Sequence, residues 1–153
     1  MVSLVKPFFL KGRRKGNGMK VVQIGAAGHY AYALETMKKY QMDFAAVSFP
    51  DVEDGKERAM RNFERFGFAP VVYDDAETML KEQNPDIVIV NTVMYENSRY
   101  AAMALAMGMS VFCEKPVATT LEKLNQLEYI YKEAKTKKKN IGFCGMFGID
   151  YLP

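Results

Sequence analysis

The sequence predicts an α/β fold: a doubly wound parallel sheet of about six strands with helices on both faces. Three observations predict it. Short apolar, β-branched runs alternate with helical patterns along the whole chain. The run Ile87-Val88-Ile89-Val90 is apolar without alternation, the mark of a strand covered on both faces. No internal repeat or low-complexity linker interrupts the order. Such regular alternation argues for right-handed crossovers in a Rossmann-like sheet. An antiparallel α+β arrangement is the structural alternative.

The first strand is expected at residues 20–24, followed by a helix over 29–40 with Ala33, Leu34 and Met37 at inward spacing. A second strand is expected over 44–48. A charged helix near 56–66 places Ala59, Met60 and Phe63 on one face. Residues 71–73 read as a short third strand. Asp74 or Asp75 then caps a helix that runs to Glu82 and stops at Asn84-Pro85. The fourth strand covers 86–90, and a helix over 96–107 ends at Gly108, a suitable C′ glycine. The fifth strand covers 110–113. Thr119 and Glu122 have capping-box spacing for a helix to about residue 135. Residues 140–146 form the sixth strand.

A chain of 153 residues suits one domain with a real core and is short for two. The net charge of +3 is misleading. Residues 1–20 hold six basic residues and no acid, so the remainder has 15 basic against 18 acidic residues, a net of −3. A nucleic-acid partner needs a basic face on the folded part, and the charge balance supplies none. Lys137-Lys138-Lys139 follows a helix and suits its C-terminal dipole. No apolar run approaches the ~20 residues of a membrane span, so neither nucleic acid nor membrane is an expected partner. A cytoplasmic location is expected. Cys113 and Cys144 lie in apolar strands and read as reduced core thiols.

Residues 1–18 form a basic leader, expected to be disordered or an artefact of a start at Met19. A basic membrane-touching arm is the other reading. Residues 19–146 make the domain, and 147–153 are expected to begin a crossover to a further domain.

The turn Gly25-Ala26-Ala27-Gly28-His29-Tyr30 joins the first strand to the first helix. A dinucleotide fingerprint has glycines at the first, third and sixth places of such a turn. Here those places hold Gly25, Ala27 and Tyr30, and Gly28 is fourth. A tight turn, close backbone approach to a pyrophosphate and helix-start amides are the physical needs. Gly25 and Gly28 can meet the first two, whereas Tyr30 departs from the small residue that close helix–strand packing favours. A plain turn that binds nothing is the alternative. His29, the only histidine, stands at the helix start, where a neutral hydrogen-bonding ring near phosphate or nicotinamide is favoured; an exposed residue without a role is the alternative. One histidine and two cysteines make no metal set, and no metal is expected.

The second strand runs out in Val47-Ser48-Phe49-Pro50-Asp51. No acid or arginine ends the strand itself, so NAD and NADP both remain open. Asp51 leans toward NAD if it swings in, though Asp51 and Asp54 also read as turn formers.

Glu114-Lys115-Pro116 follows the fifth strand. A charged pair locked by proline at the carboxyl end of a buried parallel strand stands where open α/β sheets bind ligands. The stretch from Asn91-Thr92 to Pro116 resembles the glucose–fructose oxidoreductase / inositol dehydrogenase (Gfo/Idh/MocA) family. Thr92 matches the threonine of its T-P-N-x-x-H motif. Ala101, Ala104, Leu105 and Gly108 match its A-x-x-A-L-x-A-G helix, and Glu114, Lys115 and Pro116 match its E-K-P. Val93, Met94 and Asn97 depart from the motif's proline, asparagine and histidine.

The resemblance implies NAD or NADP as cofactor and hydride transfer to or from a sugar, polyol or related hydroxyl or carbonyl compound. It places Lys115 as catalytic residue near the nicotinamide ribose and substrate. Glu114, Lys115 and Pro116 join Gly25, Ala26, Ala27, Gly28, His29, Asn91 and Thr92 in the cofactor site, and the Lys115–Pro116 bond is expected to be cis. Met94 and Tyr95 either touch the cofactor or pack on a helix. The family's second domain carries the substrate pocket and the dimer contacts. This chain is therefore expected to be inactive alone, with any homo-oligomer requiring that domain. A non-catalytic nucleotide-binding or regulatory module, and the product of an interrupted gene, are the competing readings.

Overall fold

The computed structural model describes residues 18–51 and 55–145. Strands and helices alternate: β1 (Lys20–Ile24), α1 (Ala31–Lys39), β2 (Asp43–Ser48), α2 (Lys56–Phe66), β3 (Val71–Tyr73), α3 (Ala76–Gln83), β4 (Ile87–Val90), α4 (Asn97–Ala106), β5 (Ser110–Cys113), α5 (Leu121–Lys137) and β6 (Phe143–Gly145). All five pairings are parallel, in the order β3-β2-β1-β4-β5-β6. The doubly wound α/β sheet expected from the sequence is therefore what forms. The chain moves outward from β1 to β3, then returns to start β4 beside β1. That reversal opens a crevice beyond the carboxyl ends of β1 and β4.

Two apolar layers hold the sheet. Val22, Ile24, Ala46, Val88, Val90 and Val111 face α3, α4 and α5. Val21, Phe44, Val47, Ile87 and Ile89 face α1 and α2. Every residue of β4 is buried, as its unbroken apolar run requires. Phe63 anchors α2, meeting Phe44 edge-on at 5.0 Å and Tyr30 at 5.9 Å. Burying such a ring contributes roughly 3 kcal/mol.

Several boundaries shift by one or two residues, and the sixth strand, expected from residue 140, begins at Phe143. The first helix begins at Ala31, which leaves His29 and Tyr30 in the turn. Asp75 is the cap of α3, its carboxylate accepting from Thr78 N. That bond, with the Thr78 interactions as leading cause, holds the Asp75 carboxyl below the usual range. The Thr119 capping box is corrected by one residue. Thr120 caps α5, accepting from Lys123 N at 3.2 Å. Consecutive threonines offer two frames, and the extended backbone of Thr120 selects the second. The leader to residue 17, Asp54, and the crossover at 147–153 lie outside the described residues.

Among the described residues no helix is long and apolar enough to cross a membrane, and no cluster of three metal-ligating side chains occurs. Cys113 and Cys144 are free thiols. Burial, with the Glu114 charge second, pushes the Cys113 thiol well up; burial alone does so for Cys144.

Candidate functional site

The β1–α1 turn begins at Gly25 with φ +76°. A Cβ there would lie 2.3 Å from the Asn91 carbonyl oxygen, so only glycine fits. The reason is close stitching of neighbouring strand ends. Gly25 N donates to Ser48 O at 2.7 Å, Ala27 N to Asn91 O at 2.8 Å, and Asn91 N to Ile24 O at 2.8 Å. The Asn91 amide group returns a bond to Ala27 O at 3.0 Å, and buried Gln23 donates to Gly25 O at 2.8 Å.

Gly28 also has positive φ, +71°. Its missing side chain makes room for Glu114, whose Oε2 would lie 2.3 Å from a Cβ at that position. Glu114 is 5% exposed. A buried carboxylate demands donors. Oε2 accepts from His29 N at 2.6 Å, meets His29 Nδ1 at 3.2 Å and lies 3.4 Å from Asn91 Nδ2. Oε1 accepts from Lys115 N at 2.9 Å. Glu114 thereby ties together the turns that follow β1, β4 and β5.

Asn97 is a second tie, and the sequence motif gave it no role. It is fully buried at the start of α4. Its Oδ1 accepts from Thr92 N at 3.2 Å and Thr92 Oγ1 at 2.9 Å. Its Nδ2 donates to Glu114 O at 3.2 Å and Pro116 O at 3.1 Å. All four hydrogen-bonding positions of the amide are filled. The two carbonyls it holds flank Lys115. Its only signal in the sequence is its place where the family motif has histidine.

The structure thus brings Gly25, Ala26, Ala27, Gly28, His29, Asn91, Thr92, Glu114, Lys115 and Pro116 to one end of the sheet. Their side chains differ in access. Ala26, Asn91 and Thr92 are buried, and the Asn91 N and O and the Thr92 N are bonded within the protein. The His29 side chain is 48% exposed, with Tyr32 stacked beside it at 6.3 Å. Lys115 and Pro116 are exposed, and the bond between them is cis. Met94 and Tyr95 are exposed rather than packed on a helix; Lys123 Nζ holds Tyr95 O at 2.9 Å. Asp51 accepts from Val93 N at 3.2 Å through Oδ2.

Tyr30 explains how a large residue is tolerated at the sixth place of the turn. Its ring packs on Phe63 of α2, and Asn62 donates to its hydroxyl at 2.7 Å.

A dinucleotide's pyrophosphate needs backbone donors and close approach. Gly25 and Gly28 set the turn's left-handed backbone, while the space a side chain would take there is filled by Asn91 O and Glu114 Oε2. Among the described residues, the Gly28, Tyr30 and Ala31 amides donate to no protein acceptor, whereas the His29 amide is taken by Glu114. The three amides at the start of α1 therefore fit such a group, while the Glu114 carboxylate is held by the chain's own donors.

Comparison with known proteins agrees with this geometry. The family described as an oxidoreductase family with an NAD-binding Rossmann fold (Gfo/Idh/MocA) matches residues 19–143. An inositol 2-dehydrogenase from Paracoccus denitrificans is 26% identical over 81 residues, which is 53% of this chain and 24% of that protein. A trans-1,2-dihydrobenzene-1,2-diol dehydrogenase from Xenopus laevis is 26% identical over 124 residues, 81% of this chain and 34% of that protein. The chain thus spans about a quarter to a third of these relatives. An oxidoreductase structure from Thermotoga maritima superposes with TM-score 0.77 at 30% identity, covering 88% of this chain and 40% of that one. An Agrobacterium radiobacter oxidoreductase, solved with NAD+ and L-tartaric acid, shares the fold at TM-score 0.63 and 20% identity, covering 84% of this chain and 35% of that one. The chain belongs to the Gfo/Idh/MocA oxidoreductase family and comprises its NAD-binding Rossmann domain.

Proposed function

We propose that this chain is the cofactor-binding part of a dehydrogenase acting on a sugar, polyol or related hydroxyl compound. The observation that carries the reading is the convergence of the β1, β4 and β5 turns on Glu114. The names of two matched relatives, an inositol dehydrogenase and a diol dehydrogenase, support a hydroxyl substrate.

Bound there, the nicotinamide would supply hydride chemistry. The chain's own residues bind and orient. Gly28, Tyr30 and Ala31 would direct amides to the pyrophosphate, with the dipole of α1 behind them. Backbone of Asn91, Thr92 and Val93 would line the middle of the crevice. Glu114 and His29 would border its nicotinamide side. Lys115 would place a positive charge beside the nicotinamide ribose and the substrate oxygen, stabilising negative charge as a proton leaves or arrives.

Substrate contacts and the remaining proton-handling groups are proposed to lie in a further domain, since the chain covers only 24% and 34% of those two relatives. The chain alone is then a binder with little turnover. Calorimetric titration with NADH and NADPH tests this. Saturable binding of either supports the reading, and no binding of both at about a millimolar removes it.

A further inference from the structure

We propose that Gln23 is a positioning residue for dinucleotide binding: its buried amide sets the orientation of the Gly25–Ala26 peptide in the β1–α1 turn. The proposal rests on the dinucleotide reading above. Gln23 interrupts the apolar run Val21-Val22-Gln23-Ile24 and is fully buried. Its neighbours in register on β2 and β4 are Val47 and Ile89, both part of the apolar layer that faces α1 and α2. Its Nε2 donates to Gly25 O at 2.8 Å, whereas its Oε1 has no hydrogen-bond partner among the described residues. Burying an amide whose oxygen is unpaired costs stability. A methionine or leucine would fill the same place without that cost, so the core alone does not account for a glutamine.

The bond its side chain makes is to the turn. Gly25 N donates to Ser48 O at 2.7 Å, which fixes the peptide before Gly25. Ala27 N donates to Asn91 O at 2.8 Å, and Ala27 O accepts from the Asn91 side chain at 3.0 Å, which fixes the two peptides after Ala26. Between them lies the Gly25–Ala26 peptide. Among the described residues, Gln23 alone bonds it.

That peptide adjoins the most pliable point of the turn. Gly25 has φ +76°, and a glycine lets the next peptide rotate at little steric cost. Held by Gln23, the Gly25 carbonyl oxygen is directed into the core. The carbonyl and amide of a trans peptide point in opposite directions, so Ala26 N–H is directed away from Gln23. A flipped peptide would bring the oxygen out at the carboxyl end of β1, where its partial negative charge would meet a pyrophosphate. Gln23 therefore keeps an acceptor from facing an anion, and it does so against the interest of the core. A local conflict of that kind is expected at a functional site.

The test compares the 153-residue chain with its Gln23→Met variant, which keeps the length of the side chain and removes its amide. Kd for NADH is read by dihydronicotinamide fluorescence, and stability by thermal unfolding. The variant should melt at the wild-type temperature or above it, yet bind NADH about tenfold more weakly. An unchanged Kd overturns the proposal. So does weaker binding in step with a lower melting temperature, the outcome for a side chain that only supports the fold. A second measurement uses the wild type alone. On saturation with NADH the Gln23 side-chain amide resonances should move, while those of Gln83, at the end of α3, should stay. Unmoved Gln23 resonances overturn the proposal as well. If the wild type binds no NADH, the dinucleotide reading itself fails, and this role with it.

Discussion

Gly28 and Glu114 occupy a single space: a Cβ on residue 28 would lie 2.3 Å from the Glu114 carboxylate oxygen that the His29 amide binds at 2.6 Å. The glycine exists as much for the chain's own carboxylate as for a ligand. Gly28→Ala should destabilise the domain by about 1–2 kcal/mol from its left-handed backbone alone, and more if Glu114 is displaced. Adding Glu114→Ala should make the double variant less unstable than the two single losses summed. Urea unfolding of the four proteins measures the coupling.

Asn97 is expected to be the most sensitive polar residue of the site. Asn97→Leu strips partners from Thr92 N, Glu114 O and Pro116 O inside a buried region. Its cost should be about 3 kcal/mol, measured by chemical denaturation. Asn97→Asp keeps the Thr92 bonds and sets a charge against two carbonyls. It should weaken NADH binding more than Thr92→Val does, since only the former disturbs both sides of Lys115.

The helix cap separates two neighbouring threonines. Thr120→Ala should cost about 1 kcal/mol, whereas Thr119→Ala should change stability little. Thermal unfolding of the two variants decides between the frames.

Lys115 is exposed, so Lys115→Ala should leave the melting temperature within about 2 °C of wild type. In a protein carrying the proposed substrate domain, the same change should abolish turnover. Circular dichroism and an NAD(P)H assay read the two halves of this prediction.

Much of the fold was legible because a parallel sheet buries both faces of its strands. Ile87–Val90 announced itself by composition, and Gly108 marked the end of α4 with φ +81°. Asp75 and Thr120 were legible only to within a residue, since each has a neighbour of the same type. The site was legible in part. Gly25, Gly28 and Glu114 stood out by residue type, but the reason Gly28 is glycine lies far along the chain in Glu114. Asn97 escaped because its role depends on four groups distributed over residues 92, 114 and 116. Tyr30 read as a misfit in the turn because its hydroxyl's partner, Asn62, lies on another helix.

Amide chemical-shift mapping of the isotope-labelled chain during NADH titration locates the dinucleotide on the sheet. Saturable shifts are expected at Gly28, Tyr30, Thr92 and Lys115, with Gly67 and Gly108 unmoved. Shifts confined to Gly67, Gly108 or other sites away from these three turns, or none at about a millimolar NADH or NADPH, would contradict that placement.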